Sequence, residues 1–376
     1  VQLGRFLLAC AVSAVVVLSA PFNRDIRDFI RTNFPNKFVV VVASVVGVTI
    51  ALAIVAALVR IRDRRVLRYG AIASALALGV SYSLWNAVGI AETDAVERFH
   101  FVEFGLITLL FYRAWRRVGD ASLFVLPVLA SVVVGTVEEW VQWFIPGRVG
   151  DVRDVFLNGV AIVCGLLFSL GLDPPAKLSL RLERGSLRRI GGVSSFVVLV
   201  FAAFVYTVHV GVENHDPEAG TFRSRYDSAT LAALSKDRAE QWKGVPLLAR
   251  PKSLSREDQY QSEGHLHVTE RNRRWDAGDL RGAWYENLIL EKFYAPVLDT
   301  PSYLSKTGHR WPGEQRTDAA HRSEAARTAD RTPYQSLADV AEGRHFIRTW
   351  PPIVFWGVVA IVLVLTLGAT FSLDRS

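Results

Sequence analysis

The sequence predicts an all-α, polytopic membrane protein: a transmembrane helical bundle of about eight spans joined to a mostly helical extracytoplasmic domain. Three observations carry this reading. Of the 376 residues, 51% are hydrophobic, and they fall in blocks of about twenty, the length a helix needs to cross a hydrocarbon core. Lys and Arg concentrate on alternate loops between those blocks. The long segment 213–350 has no such block and carries 21 Lys/Arg against 21 Asp/Glu. A purely soluble protein is thereby excluded.

Taken in order, Phe6–Ala20 is a 15-residue apolar run behind Arg5, short enough to resemble a signal peptide. Pro21 after Ser19-Ala20 is a poor cleavage context, so an uncleaved first helix is expected. Phe38–Val59 is 22 residues without a charge. Further spans are expected at Ala71–Ala91, Phe99–Trp115, Leu123–Phe144, Val155–Leu172, Val193–Val212 and Pro351–Phe371. The chain then divides into a bundle over 1–172, a basic cytoplasmic loop and seventh span over 173–212, an extracytoplasmic domain over 213–350 and a C-terminal span over 351–376. With the N-terminus inside, the inner loops 60–69, 113–120 and 173–192 hold thirteen basic residues against seven on the short outer loops. The net charge of +7 lies wholly outside 213–350 and reads as a record of insertion, not as a signal for an acidic partner. Cys10 and Cys164 both sit in apolar blocks, which leaves no disulfide framework or metal knuckle.

Within 213–350, Ser255-Arg256-Glu257-Asp258 reads as a helix start, followed by a helix to about Trp275 and a turn at Ala277-Gly278-Asp279. In the next helix Leu280, Trp284 and Leu288 share a face. The stretch Lys306–Asp330 is polar and reads as a poorly packed connector. Glu263, His265 and His267 offer metal-ligand chemistry, but their spacing of two splits the histidines across a helix, so a solvated polar face is expected. Trp275, Trp284, Tyr285, Phe293 and Tyr294 are expected to build a core. No basic patch interleaved with aromatics supports nucleic-acid binding.

Ionisable residues inside spans are costly and face a bundle interior or a cavity. Here they gather at one expected depth, the outer face. His100 and Glu103 lie three apart at the start of one span, on one helix face. Glu138, Glu139 and Gln142 occupy the last turns of the next span, which Pro146-Gly147 breaks, with Arg148 on the loop. Asp151 is a candidate cap for the following helix, and Asp154 and Asn158 project from one side of it.

These residues carry a family resemblance. Glu97-Arg98-Phe99-His100-Phe101-Val102-Glu103-Phe104-Gly105-Leu106 resembles the His-containing stretch of the VanZ-like membrane proteins, named for a teicoplanin-resistance protein. Glu139, Gln142, Pro146-Gly147-Arg148, Asp151, Asp154 and Asn158-Gly159 are similar to that family's second signature. Phe104 stands where many members have Tyr, and Ala161 lies in a stretch usually richer in Gly. The resemblance covers roughly 1–172 and implies a role in the cell envelope, in glycopeptide susceptibility.

Two functions remain open for the cluster. In one, Arg148 holds a phosphate or carboxylate and His100 or Glu139 acts as general base on a lipid-linked envelope precursor or a peptide terminus. In the other, the acids neutralise Arg148 and the amides satisfy backbone groups, which makes a closed network in a non-enzymatic protein with an envelope partner. No G-x-S-x-G elbow or H-E-x-x-H helix is present. A glutamic intramembrane protease would need Arg four residues after Glu139, where Trp143 stands. No metal or other cofactor is expected, and the bilayer is the first partner.

Overall fold

The computed structural model describes residues 2–87, 89, 91–145, 150–243, 259–301, 305–338 and 348–375. Among them are fourteen α-helices and three short strands. The helices are α1 (Leu3–Ser19), α2 (Asn23–Asn33), α3 (Phe38–Arg60), α4 (Arg65–Asn86), α5 (Ala91–Trp115), α6 (Ser122–Trp143), α7 (Val152–Leu172), α8 (Arg184–His209), α9 (Ser228–Gln241), α10 (Gln259–Asp276), α11 (Leu280–Phe293), α12 (Ala295–Asp299), α13 (Gly313–Ala329) and α14 (Pro352–Arg375). The strands are β1 (Val210–Asp216), β2 (Gly220–Ser224) and β3 (Arg348–Thr349). The chain separates into two compact units, one comprising Val1–Phe144, Gly150–Phe204 and Phe355–Ser376, the other Val205–Val354.

The first unit is the apolar bundle. Six of its helical stretches are long and apolar enough to cross a membrane: Leu3–Phe22, Phe38–Arg60, Ser122–Trp143, Val152–Leu172, Arg184–His209 and Pro352–Ser372. The other two expected spans also form helices, α4 and α5, but Arg65 and Arg68 on α4, and Glu92, Asp94, Glu97 and Arg98 on α5, dilute their apolar character. At the centre, α5 packs against α7, α6 and α1 through buried Phe104, Ile107, Phe111, Leu123, Leu126 and Ile162. Phe6 of α1 meets Trp115 edge-on at 5.3 Å between ring centroids.

Apolar burial adds little drive between helices already in lipid, so close contact and hydrogen bonds hold such a bundle together. Both are present. A Cβ on Gly165 of α7 would lie 2.8 Å from the Gly105 Cα of α5, so these helices touch backbone to backbone. Thr108 donates to Ser131 at 3.1 Å, linking α5 to α6. Large apolar side chains such as Val40, Leu52 and Leu58 on α3 and Ile361, Val364 and Leu365 on α14 are exposed, as lipid-facing helices require.

One element was not legible as a span or as a helix. Residues 23–33 fall within the expected outer loop but form α2, whose Ile26 and Phe29 are exposed on one side with Phe22 and Phe34 flanking them. Eleven residues are too few to register as a hydropathy block. An exposed apolar face beside Arg27, Asp28 and Arg31 is the pattern of a helix lying in a membrane interface.

The second unit is mostly helical with a small sheet in the order β2-β1-β3. β1 pairs antiparallel with β2, from Val212 opposite Ser224 to Asp216 opposite Gly220, and parallel with β3. The expected span to Val212 thus ends as a helix at His209, and the apolar residues after it belong to the sheet. α10 and α11 form a helical hairpin, with Asp279 accepting from the Gly282 N–H at 2.9 Å to cap α11. The expected start at Ser255 to Asp258 lies outside the described residues, and the described helix runs to Asp276. The aromatic core expectation holds: Phe293, Tyr294 and Trp284 are buried, and Trp275 packs beside Trp311.

Two readings of this unit are corrected. The stretch 306–330 is not a loose connector, because 313–329 forms α13 and packs on α11. Its apolar contribution is small, Ala319 being buried beside Trp284 and Trp311, while Arg316 and Arg327 stack over Trp284 and Arg322 over Trp275. Glu263 and His267 are likewise not solvated; both are fully buried. Glu263 accepts from Ser224 Oγ at 2.6 Å, the Arg225 N–H at 2.8 Å, Gln259 Nε2 at 2.9 Å and Tyr294 OH at 3.0 Å. Full burial of a carboxylate is sustained by four donors. His265 faces elsewhere, its ring 5.4 Å from that of His309, and burial together with that neighbour holds its pKa down at about 4.

Candidate functional site

The polar residues singled out from the sequence gather where α5 begins, α6 ends and α7 begins. Spacing explains the local arrangement. Positions three apart on α5 put His100 Nδ1 3.3 Å from Glu103 Oε2, both side chains being about 15% exposed. On α6, Glu138, Glu139 and Gln142 occupy one turn and are all buried. Gln142 Nε2 donates to both carboxylates, at 3.1 Å to Glu138 and 3.2 Å to Glu139.

The start of α7 folds back onto this turn. Asp151 is the N-cap, its carboxylate accepting from the Arg153 N–H at 2.9 Å, which satisfies one of the orphan donors of the first helical turn. Its own N–H donates to Glu139 Oε2 at 3.3 Å. The approach demands glycine at position 150, where a Cβ would come within 2.4 Å of the Glu139 carbonyl oxygen. Glu139 therefore ties the last turn of α6 to the first residue before α7. Pro146, Gly147 and Arg148 lie outside the described residues, and so does every contact of the Arg148 guanidinium.

A second group is less satisfied. Asn158 is 1% exposed, with neither its Oδ1 nor its Nδ2 hydrogen-bonded to a described residue. Its side chain sits against Gly135, one turn before Glu138. The Asp154 carboxylate, a turn earlier on α7, makes no hydrogen bond or ion pair with a described residue. Among the described residues, His100 Nδ1 has no partner apart from its ion-pair contact with Glu103. His100, Glu103 and Glu138 can each place one ligand atom within 4.8 Å of the others, the one arrangement among the described residues with the reach to hold a metal ion. The sequence suggested no metal here, because these residues come from two helices with no ligand spacing along the chain.

Three residues at this end were not among the expected site residues, although Glu97 heads the family-like stretch. Arg153 donates to Asn86 Oδ1 at 2.7 Å and lies 3.8 Å from Glu97, while Asn86 Nδ2 donates to Glu97 at 2.8 Å. They join the end of α4, the start of α5 and the start of α7. Glu97 precedes His100 by one helical turn, which was the available signal, but Asn86 reads only as the polar end of a span.

Apolar helices enclosing a buried cluster of carboxylates, amides and one imidazole define a membrane-integral helical protein. Residues 7–172 match the family model VanZ/LLP1, which supports a VanZ-like assignment for that part of the chain. No curated protein and no solved structure matches the chain.

Proposed function

We propose that the chain is a multi-pass cell-envelope protein with eight spans, in which α4 and α5 cross the membrane with the six more apolar helices. In this reading residues 213–350 are extracytoplasmic, and the polar cluster at the outer face fixes the bundle without performing catalysis. The carrying observation is that Glu139 bonds both to Gln142 and to the backbone of Asp151, so the acid is committed to joining α6 to α7. The partner is then another envelope component, and the phenotype belongs to the class of glycopeptide susceptibility that the VanZ-like domain suggests.

A second reading is favoured by a different observation. The side chains of Asn158 and Asp154, on the same side of α7, have no hydrogen-bond partner among the described residues. A membrane enzyme or carrier for a lipid-linked envelope or peptidoglycan precursor would use such groups to bind a polar headgroup, with His100 or Glu139 as base and Arg148 as the anion holder. The topology common to both readings is tested at Glu240, an exposed position on α9. A Glu240→Cys variant in intact cells is expected to react with a membrane-impermeant maleimide. Labelling that requires permeabilisation would put 213–350 on the cytoplasmic side.

A further inference from the structure

At the other end of the same bundle, where α3, α5 and α7 end and α4 begins, lies a cavity of about 330 Å³. That volume falls at the small end of ligand pockets, about 300–1,000 Å³. Its wall carries four arginines, Arg60, Arg64, Arg68 and Arg116, against two aspartates, Asp63 and Asp173. The residues divide by what they already do. Arg68 is 9% exposed and spent on structure: Nε donates to the Gly171 carbonyl at 2.9 Å, Nη2 to that of Leu172 at 2.8 Å, and Nη1 pairs with Asp63 at 2.5 Å. These bonds cap the orphan carbonyls at the end of α7. Arg116 pairs with Asp173 at 3.0 Å and donates to the Pro174 carbonyl.

Both aspartates are therefore neutralised, and Arg60 and Arg64 remain. Both are exposed at the cavity, and neither guanidinium makes a hydrogen bond or ion pair with a described residue. Arg64 also holds a left-handed backbone, φ 44°, which a residue with a Cβ rarely adopts. It occupies the N-cap position of α4 without supplying a side-chain cap. The N–H groups of that first turn, and the positive end of the α4 dipole, thus face the same end as the two spare guanidiniums. Two planar, bidentate donors around a cavity whose acids are already matched suit a group carrying about −1.5 to −2 charges and several acceptor oxygens.

We propose that this cavity binds a phosphate group, presented either by an anionic lipid headgroup or as free phosphate. The site stands on residues remote from the polar cluster and holds whichever reading of that cluster is correct. The expected topology puts it on the cytoplasmic face.

The full chain in phosphatidylcholine nanodiscs, at fixed ionic strength, provides the test. Its thermal unfolding midpoint is followed against inorganic phosphate, and separately against discs doped with phosphatidic acid. One of these probes is expected to stabilise the protein. The double variant Arg60→Gln/Arg64→Gln is expected to weaken that apparent affinity at least tenfold, because both residues are exposed and the arginines that support the fold are left intact. Arg62→Gln, on the same loop but not lining the cavity, keeps it. Stabilisation by inorganic phosphate in plain phosphatidylcholine discs assigns the site to soluble phosphate, and stabilisation by phosphatidic acid alone assigns it to a lipid. No stabilisation by either probe, or equal weakening by Arg62→Gln, overturns the proposal.

Discussion

Glu286→Ala is expected to destabilise the unit formed by 205–354 by about 3–5 kcal/mol, the cost of stripping one partner from a buried, charge-assisted network. Glu286 lies on α11 with no solvent exposure. One of its oxygens lies 2.7 Å from His267 Nδ1, and the other accepts from Tyr334 OH and Ser336 Oγ, both at 2.6 Å. Truncation leaves the buried His267 and Tyr334 and the half-buried Ser336 without that acceptor, the buried groups costing about 1–3 kcal/mol each. The loss is also topological. Tyr334 and Ser336 belong to the segment that extends the sheet, with the Thr221 N–H donating to the Tyr334 carbonyl at 2.7 Å and the Ser336 N–H to that of Thr221 at 2.8 Å. Burial and the adjacent Glu286 push the Tyr334 pKa upward, so its hydroxyl stays a donor. The check is limited proteolysis of the purified protein: the variant should be cut within 205–354 under conditions where the parent resists. Equal resistance would show that α11 does not hold this segment.

The second large effect is expected in the bundle. Gly165→Leu should reduce the yield of monodisperse protein in detergent several-fold. The new Cβ alone would meet the Gly105 Cα at 2.8 Å, the Gly105 carbonyl oxygen at 3.0 Å and the Thr108 Cβ at 3.0 Å. Two of these atoms are backbone and cannot swing aside, so α5 and α7 must separate along their contact. Overpacking by added methylenes costs about 1–3 kcal/mol even where side chains can adapt. Gly159→Leu, six residues earlier on the same helix, is the control, since nothing lies within 4 Å of its Cβ position. Size-exclusion profiles of the two variants should differ sharply. Matching profiles would mean that α5 and α7 are not in close contact.

Apolar blocks of bilayer length were legible because their signal is additive along the chain. What depends on few residues was not. α2 rests on Ile26 and Phe29 over eleven residues, and α13 on Ala319 and on arginines stacked over tryptophan, neither of which hydropathy registers. The burial of Glu263 and His267 could not be read either, because their partners Ser224, Tyr294 and Glu286 come from elsewhere in the chain. In the candidate site, spacing brought out the pairs within a helix, His100 with Glu103 and Glu138 with Gln142. It was silent on the contacts between helices, such as Glu139 with Asp151 and Arg153 with Asn86, which depend on how neighbouring helices meet.

The central claim is that Glu139 is a structural tie and not a reacting group. Its most direct measurement is the amount of folded, membrane-inserted Glu139→Ala protein, taken together with glycopeptide susceptibility in the same cells, with Asp154→Ala as the comparison. The account predicts that Glu139→Ala lowers the folded protein several-fold and that any phenotype follows abundance. Asp154→Ala, which removes no described bond, should leave abundance unchanged. Normal abundance of Glu139→Ala with a lost phenotype would contradict the account and favour a ligand-handling site.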